Sequence, residues 1–224
     1  DQALTDLSLT LPAGQVLETS GLNGIVLHEP GALTLVAKAG TPLGEVEAAL
    51  AVEGQRLAFE PPDLRGLLGR DGTSTIGGVV AANASGPRRV QAGACRDALL
   101  GVRFVDGTGV VSKNGGRVMK NVTGYDLVKL MSGSHGTLAV LSEVSFKVLP
   151  VPESAATVLV AMDEASAAVG AMSAALGSPF DVTGAAWTAQ GGVSIRIEGF
   201  AASVDYRAGR LADLLAPFGA VTVE

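Results

Sequence analysis

Ser74-Thr-Ile-Gly-Gly-Val-Val-Ala-Ala-Asn-Ala-Ser-Gly86 is the stretch whose residue types and spacing point most directly to chemistry. Gly77 and Gly78 carry no side chain, so backbone N–H groups there can approach a ligand at a distance other residues forbid. Ile76, Val79 and Val80 suit a core, whereas Ala81, Ala82, Ala84 and Gly86 keep the facing surface low and leave Asn83 as its polar handle. Such a surface suits a large anionic or planar cofactor, although a glycine pair by itself also makes a tight packing turn between core elements. Upstream, Glu60-Pro-Pro-Asp63 is stiffened by two prolines and holds Asp63 at little further entropic cost. Downstream, Ser134-His-Gly-Thr137 is another loop of small residues.

Charge is unevenly spread around these motifs. Residues 88–147 hold nine Lys/Arg against four Asp/Glu, in a chain whose formal net charge is −6. A basic island in an acidic protein points to an anionic ligand or an acidic partner surface, and solvated loops that happen to carry Lys and Arg give the same count. Arg88, Arg89 and Lys120 are the candidate charge partners for phosphate or carboxylate, with a structural role the expected one. Nucleic acid is not expected, because an acidic whole repels its backbone and no aromatics are interleaved with the basic residues. The single cysteine, Cys95, makes no internal disulfide and fits a reducing cytoplasm. Two histidines far apart, His28 and His135, argue against a zinc site of the usual kind. No direct membrane span is expected, since no apolar run reaches about 18 residues. The first residues, Asp1 to Asp6, lack the basic start and apolar stretch of a secretory signal.

The elements that must position these residues follow from periodicity. Of the 224 residues 47% are hydrophobic but only 4% aromatic, so the core rests on Val, Leu and Ala, as is common in α/β and α+β proteins. Leu33 to Ala39 alternates as a strand, and Thr41-Pro42 then reads as an N-cap and first helical residue for Leu43, Val46, Ala49 and Leu50. Arg56 to Phe59 reads as a strand, and 64–73 and 87–97 read as loops. Leu99 to Val105 and a return from Val110 form a hairpin about Asp106-Gly-Thr-Gly109. Thr123 or Asp126 caps a short helix carrying Leu127, Leu130 and Met131, and a long alternating strand runs over 138–148. Beyond about Pro150-Val-Pro152 the order becomes β-α-β-β-α-β, that of a ferredoxin-like unit. The expected domains are 1–150 and 151–224.

Taken as an ordered set, Thr75-Ile-Gly-Gly78, the reach from Ala81 through Asn83 to Gly86, Gly93 with Arg96-Asp97, Lys120-Asn-Val-Thr-Gly-Tyr-Asp126 and Ser134 to Val140 resemble FAD-binding oxidases of the vanillyl-alcohol oxidase type. Phe59-Glu-Pro-Pro-Asp63, Ser85-Gly-Pro-Arg-Arg89 and Gly116 to Tyr125 are most similar to the FAD-binding subunits of bacterial glycolate oxidases. The resemblance covers roughly residues 25–150. It implies an α+β fold, a vanillyl-alcohol oxidase type FAD-binding domain followed by a small ferredoxin-like cap or substrate-side domain.

Carried residue by residue, the resemblance implies that Pro62, Asp63, Ser74, Thr75, Ile76, Gly77 and Gly78 line the flavin and its pyrophosphate. It places Ala81, Asn83 and Gly86 along the ribityl chain or ring, and Gly136, Thr137 and Val140 on the adenine side through an exposed strand edge. It implies oxidation of a small 2-hydroxy acid such as glycolate, in a cytoplasmic complex with sister subunits that include an iron–sulfur subunit, at the inner membrane only through those partners. Rival expectations are a non-catalytic scaffold subunit that keeps the flavin fold, or a flavin oxidase acting on another alcohol. Two departures stand out. No glycine-rich β-α-β loop precedes residue 25, so the N-terminal part of the domain is expected to be missing, and the chain is expected to be short at the C-terminus against the full subunit the resemblance implies. His135 stands where the broader family often carries an acid, and is expected to be a surface or adenine-side loop residue. No catalytic residue is assigned.

Overall fold

The computed structural model describes residues 9–10, 16–69, 71–117 and 124–224. The chain divides into two units, Asp1–Gly86 with Gly93–Pro150, and Pro87–Ala92 with Val151–Glu224.

In the first unit β1 (Leu9–Thr10) and β2 (Val16–Leu17) form a small antiparallel ribbon. β3 (Ile25–Glu29), β4 (Thr34–Lys38), helix α1 (Leu43–Val52), β5 (Gln55–Leu57), α2 (Arg65–Leu68) and α3 (Ile76–Ala82) follow. After α4 (Arg89–Ala92), which belongs to the second unit, come α5 (Cys95–Ala98), the hairpin β6 (Leu99–Asp106) and β7 (Val111–Gly115), α6 (Leu127–Met131) and the long β8 (Ala139–Pro150). The main sheet runs β3-β4-β8-β6-β7 with antiparallel neighbours, and β5 adds to the far end of β8.

Alternation explains why β8 is central. Val144, Phe146 and Val148 are fully buried, and Phe146 meets Phe59 with ring centroids 5.5 Å apart. The β6–β7 turn is held by Asp106, whose Oδ1 accepts from Thr108 N, Thr108 Oγ1 and Val110 N. Asp126 caps α6 by accepting from Lys129 N, while Thr123 lies outside the described residues.

Two local expectations are corrected. Thr41 does not cap α1; its fully buried hydroxyl donates to Lys38 O at 2.7 Å and accepts from Gly24 N at 3.0 Å, tying the loop before β3 to the end of β4. The stretches 64–73 and 87–97, expected as loops, carry the single turns α2, α4 and α5, too short to leave a helical period in the sequence.

The second unit consists of the segment 87–92, β9 (Ser154–Val160), α7 (Ala165–Leu176), β10 (Val182–Thr188), β11 (Gly192–Gly199), α8 (Ala201–Leu215) and β12 (Val221–Val223). The sheet order β10-β11-β9-β12, antiparallel throughout, is the ferredoxin-like arrangement. Val158, Val160, Val193, Ile195 and Ile197 pack against Ala168 and Ala171 of α7 and Val204 and Leu211 of α8. Glu164 starts α7, accepting from Ser166 N and Ala167 N.

Segment 87–92 joins this unit through Arg88. Its guanidinium grips both carboxylate oxygens of Glu198 on β11, and both side chains are under a tenth exposed.

Candidate functional site

Thr75 sits in extended backbone at the N-cap of α3 and forms an antiparallel bridge with Pro42, secured by Leu43 N to Ser74 O at 2.8 Å and Ile76 N to Thr41 O at 2.9 Å. Bridging on that side leaves the amide N–H groups of Thr73, Ser74 and Thr75 without a partner among the described residues. The Thr75 hydroxyl accepts from Gly78 N at 3.3 Å.

The paired glycines therefore open a helix, not a turn, and they differ in purpose. Gly77 N–H donates to Ala39 O at 2.7 Å, and a Cβ on Gly77 would stand 2.6 Å from Ala39 Cβ. Gly77 is a close-packing residue whose N–H is already satisfied. At Gly78 a Cβ would meet only Thr75 Oγ1, at 3.3 Å, and this residue faces a cavity.

That cavity, about 310 Å³, lies between the 62–68 segment, residues 72–75 and the outer face of α3. Pro62, Leu64, Leu68, Val79 and Ala82 give it an apolar wall; Gly72, Gly78 and Ala84 keep it bare; Thr73, Ser74 and Thr75 bring hydroxyls. A smaller cavity of about 270 Å³ adjoins it, lined by Leu43, Gly44, Glu47, Pro61 and Asp63. Arg65, Thr73 and Ser74 line both.

Asp63 and Arg65 form one unit at that junction. Arg65 Nε and Nη2 donate to the two carboxylate oxygens at 2.9 and 2.7 Å, and Arg65 N donates to Oδ1 at 3.0 Å. These bonds hold the Asp63 carboxyl down to about 2, the Arg65 side chain contributing most. Partial desolvation of Glu47, which lines the smaller cavity, raises its pKa.

The remaining predicted residues occupy other places around α3. Ile76 and Ala81 are buried on its inner face. Asn83 ends the helix in the left-handed region, φ 49°, and its Oδ1 accepts from Arg96 N at 3.0 Å. Gly86 N–H donates to Phe59 O, and a Cβ there would run into Glu60 O, so the chain needs glycine to pass. The 132–137 loop packs on the C-terminal end of α3: Gly133 N donates to Val80 O at 3.1 Å and His135 N to Ala81 O at 2.9 Å. Gly136 is buried at φ 74°, and Thr137 Oγ1 donates to Ser134 O.

Val140 lies on the central strand β8, paired with Val105 of β6. The β4 ladder on β8 ends at Lys38 and Glu143, followed by Ala39 N to Ser142 O, so an open edge exists only past the end of β4.

Thus Pro62, Ser74, Thr75 and Gly78 share one cavity, Asp63 flanks the next, and 136–140 reach the opposite end of the same helix. Leu64, Arg65 and Leu68 also line the larger cavity; of these only Arg65 is marked in the sequence, by its Asp-x-Arg spacing from Asp63. Arg88 is a structural partner of Glu198, Arg89 is exposed on α4, and Lys120 lies outside the described residues. Cys95 is buried, and that burial, with Asp97 nearby, pushes its thiol up to about 12, so it is an unreactive core residue. Among the described residues no His/Cys/Asp/Glu group is arranged to hold a metal, and no helix is long and apolar enough to cross a membrane.

A bare helix face, a stiff proline bend and a cavity with unpartnered amides, on a sheet-backed α+β unit, have the chemistry to receive a dinucleotide. The chain belongs to the FAD binding domain family, whose model matches residues 4–115, and its cofactor is FAD. Among particular proteins, it is 48% identical over 141 residues to glycolate oxidase subunit GlcE of Escherichia coli, an alignment covering 63% of this chain and 39% of that protein. It is 34% identical over 159 residues to glycolate oxidase subunit GlcD of Bacillus subtilis, covering 71% of this chain and 30% of that one. The solved structure of an alkyldihydroxyacetonephosphate synthase superposes with a TM-score of 0.68 at 20% identity, over 91% of this chain and 41% of that chain. The chain therefore spans well under half the length of these relatives, and the last likeness concerns fold alone.

Proposed function

We propose that this chain is the FAD-holding part of a subunit that oxidises a small 2-hydroxy acid, glycolate first among the candidates. The observation that carries the reading is the convergence of the 61–63 bend, the unpartnered amides of 73–75 and bare Gly78 on adjoining cavities. The similarity to glycolate oxidase subunits supports the choice of substrate.

The residues present fit the cofactor. Free amides suit an anionic linker, and a shallow apolar wall near the low end of ligand-pocket volumes, about 300–1,000 Å³, suits a flat ring. Thr73, Ser74 and Thr75 would donate their N–H groups to phosphate oxygens. Pro62, Leu64 and Val79 would exclude water from one ring face, while Gly78 permits close approach. Ile76, Gly77 and Ala81 act from the core side, fixing α3 against Ala39 and the sheet. Asn83 and Gly86 hold the flanking loops in register, and the loop carrying Gly136 and Thr137, packed on the C-terminal end of α3, would keep that helix in place while the smaller cavity receives the adenine arm. When bound, FAD supplies the redox chemistry, accepting two electrons from the alcohol carbon.

Sister subunits, one carrying an iron–sulfur cluster, are the proposed acceptors, with any membrane association made through them. Glycolate added anaerobically to the FAD-loaded protein together with those subunits tests the reading. Bleaching of the flavin absorbance is expected; an unchanged spectrum with glycolate, but bleaching with another 2-hydroxy acid or alcohol, would replace the substrate.

A further inference from the structure

We propose that Arg65 is the counter-cation for the pyrophosphate of FAD, a role that rests on the cofactor placement above. Arg65 is shared by the two cavities, together with Thr73 and Ser74, whose amides have no partner among the described residues. A dinucleotide has two arms joined by a dianion, and two cavities meeting at one cationic, N–H-lined junction match that layout. The cavities differ as the arms do. The larger is apolar and bare; the smaller carries the carboxylates of Glu47 and Asp63, which accept from sugar hydroxyls.

Exposure would ordinarily make an arginine at such a rim worth little, because ordering a long side chain opposes the attraction. Here Asp63 removes that cost in advance. It binds Nε and Nη2 of Arg65 side-on and also accepts from Arg65 N, so the guanidinium is held in one orientation while Nη1 has no partner among the described residues. Asp63 compensates part of the cation's charge, so the contribution of Arg65 is directional N–H donation more than bulk attraction.

The test is an equilibrium titration of the protein with FAD and, separately, with riboflavin, which has the ring and ribityl chain but no phosphate. Flavin fluorescence reports binding for the wild type, Arg65→Gln and Arg65→Lys at low and raised salt. Arg65→Gln should weaken FAD about tenfold, as expected for loss of one charge-assisted hydrogen bond, and should flatten the salt dependence while leaving riboflavin unchanged. Arg65→Lys, a point charge that cannot be held by both carboxylate oxygens, should fall between. Unchanged FAD affinity in Arg65→Gln, or an equal loss for FAD and riboflavin, overturns the role of Arg65 while the cofactor site stands. A wild type that binds neither flavin overturns the site and this inference together. Because Arg65 is half exposed, thermal unfolding of the variants should match the wild type, which separates a binding effect from a folding one.

Discussion

Two adjacent glycines in one motif do different work, and substitution should expose the difference. Gly77→Ala places a methyl group 2.6 Å from the Ala39 side chain and backbone. Such overpacking costs about 1–3 kcal/mol, so urea unfolding should show a clear loss of stability. Gly78→Ala meets only a hydroxyl at 3.3 Å and replaces glycine within a helix, a change that favours the fold by up to about 1 kcal/mol. Gly78→Ala should therefore match or exceed the wild type in urea while binding FAD more weakly in a fluorescence titration. Asp63 offers a pH signature at the same scale. Its pKa is lowered from 3.8 to about 2 by Arg65, so its ion pair contributes fully above pH 4 and is lost as pH falls through 2. Carboxyl chemical shifts followed by NMR should titrate near that lower value, and Arg65→Gln should return the group to the ordinary range.

The elements show how much could be read without coordinates. Alternation marked β8, the Asp106 turn marked the β6–β7 hairpin, and the β-α-β-β-α-β order beyond residue 150 gave the ferredoxin-like sheet. These are local signals, carried by residues a few positions apart. The meaning of Gly77 was not legible, because it is set by Ala39, distant in sequence, nor was the fate of Thr41, whose hydroxyl finds Gly24 before any helix amide. Arg65 left no pattern beyond its spacing from Asp63. Segment 87–92 was hidden for a further reason: its anchor, Glu198, lies 110 residues away. Removing one partner of a buried, bidentate ion pair costs about 3–5 kcal/mol. Arg88→Met should destabilise the second unit by up to that much, with Arg196 Nε, 3.6 Å from Glu198, left as a partial partner, and adding Glu198→Met should recover part of the loss.

At the scale of the molecule, the chain leaves the first unit at Gly86, returns at Gly93 and leaves again at Pro150. The excursion is bounded by residues tied into the α3 neighbourhood: Gly86 donates to Phe59 O, and Ser85 Oγ accepts from Cys95 N. The ferredoxin-like unit thus takes in residues 87–92, which lie in sequence between two stretches of the first unit. A fragment starting at Val151 would lack the bidentate partner of Glu198, so circular dichroism should show it melting below the corresponding transition of the intact chain.

The central claim is that the cavities beside α3, bounded by the proline bend and the 73–75 amides, hold the cofactor. A crystal structure of the protein grown with FAD tests it most directly. The account predicts electron density for the flavin between Pro62 and Gly78 and for phosphate at Thr73 to Thr75. Density for FAD elsewhere on the chain, with those amides turned only to solvent, would contradict it.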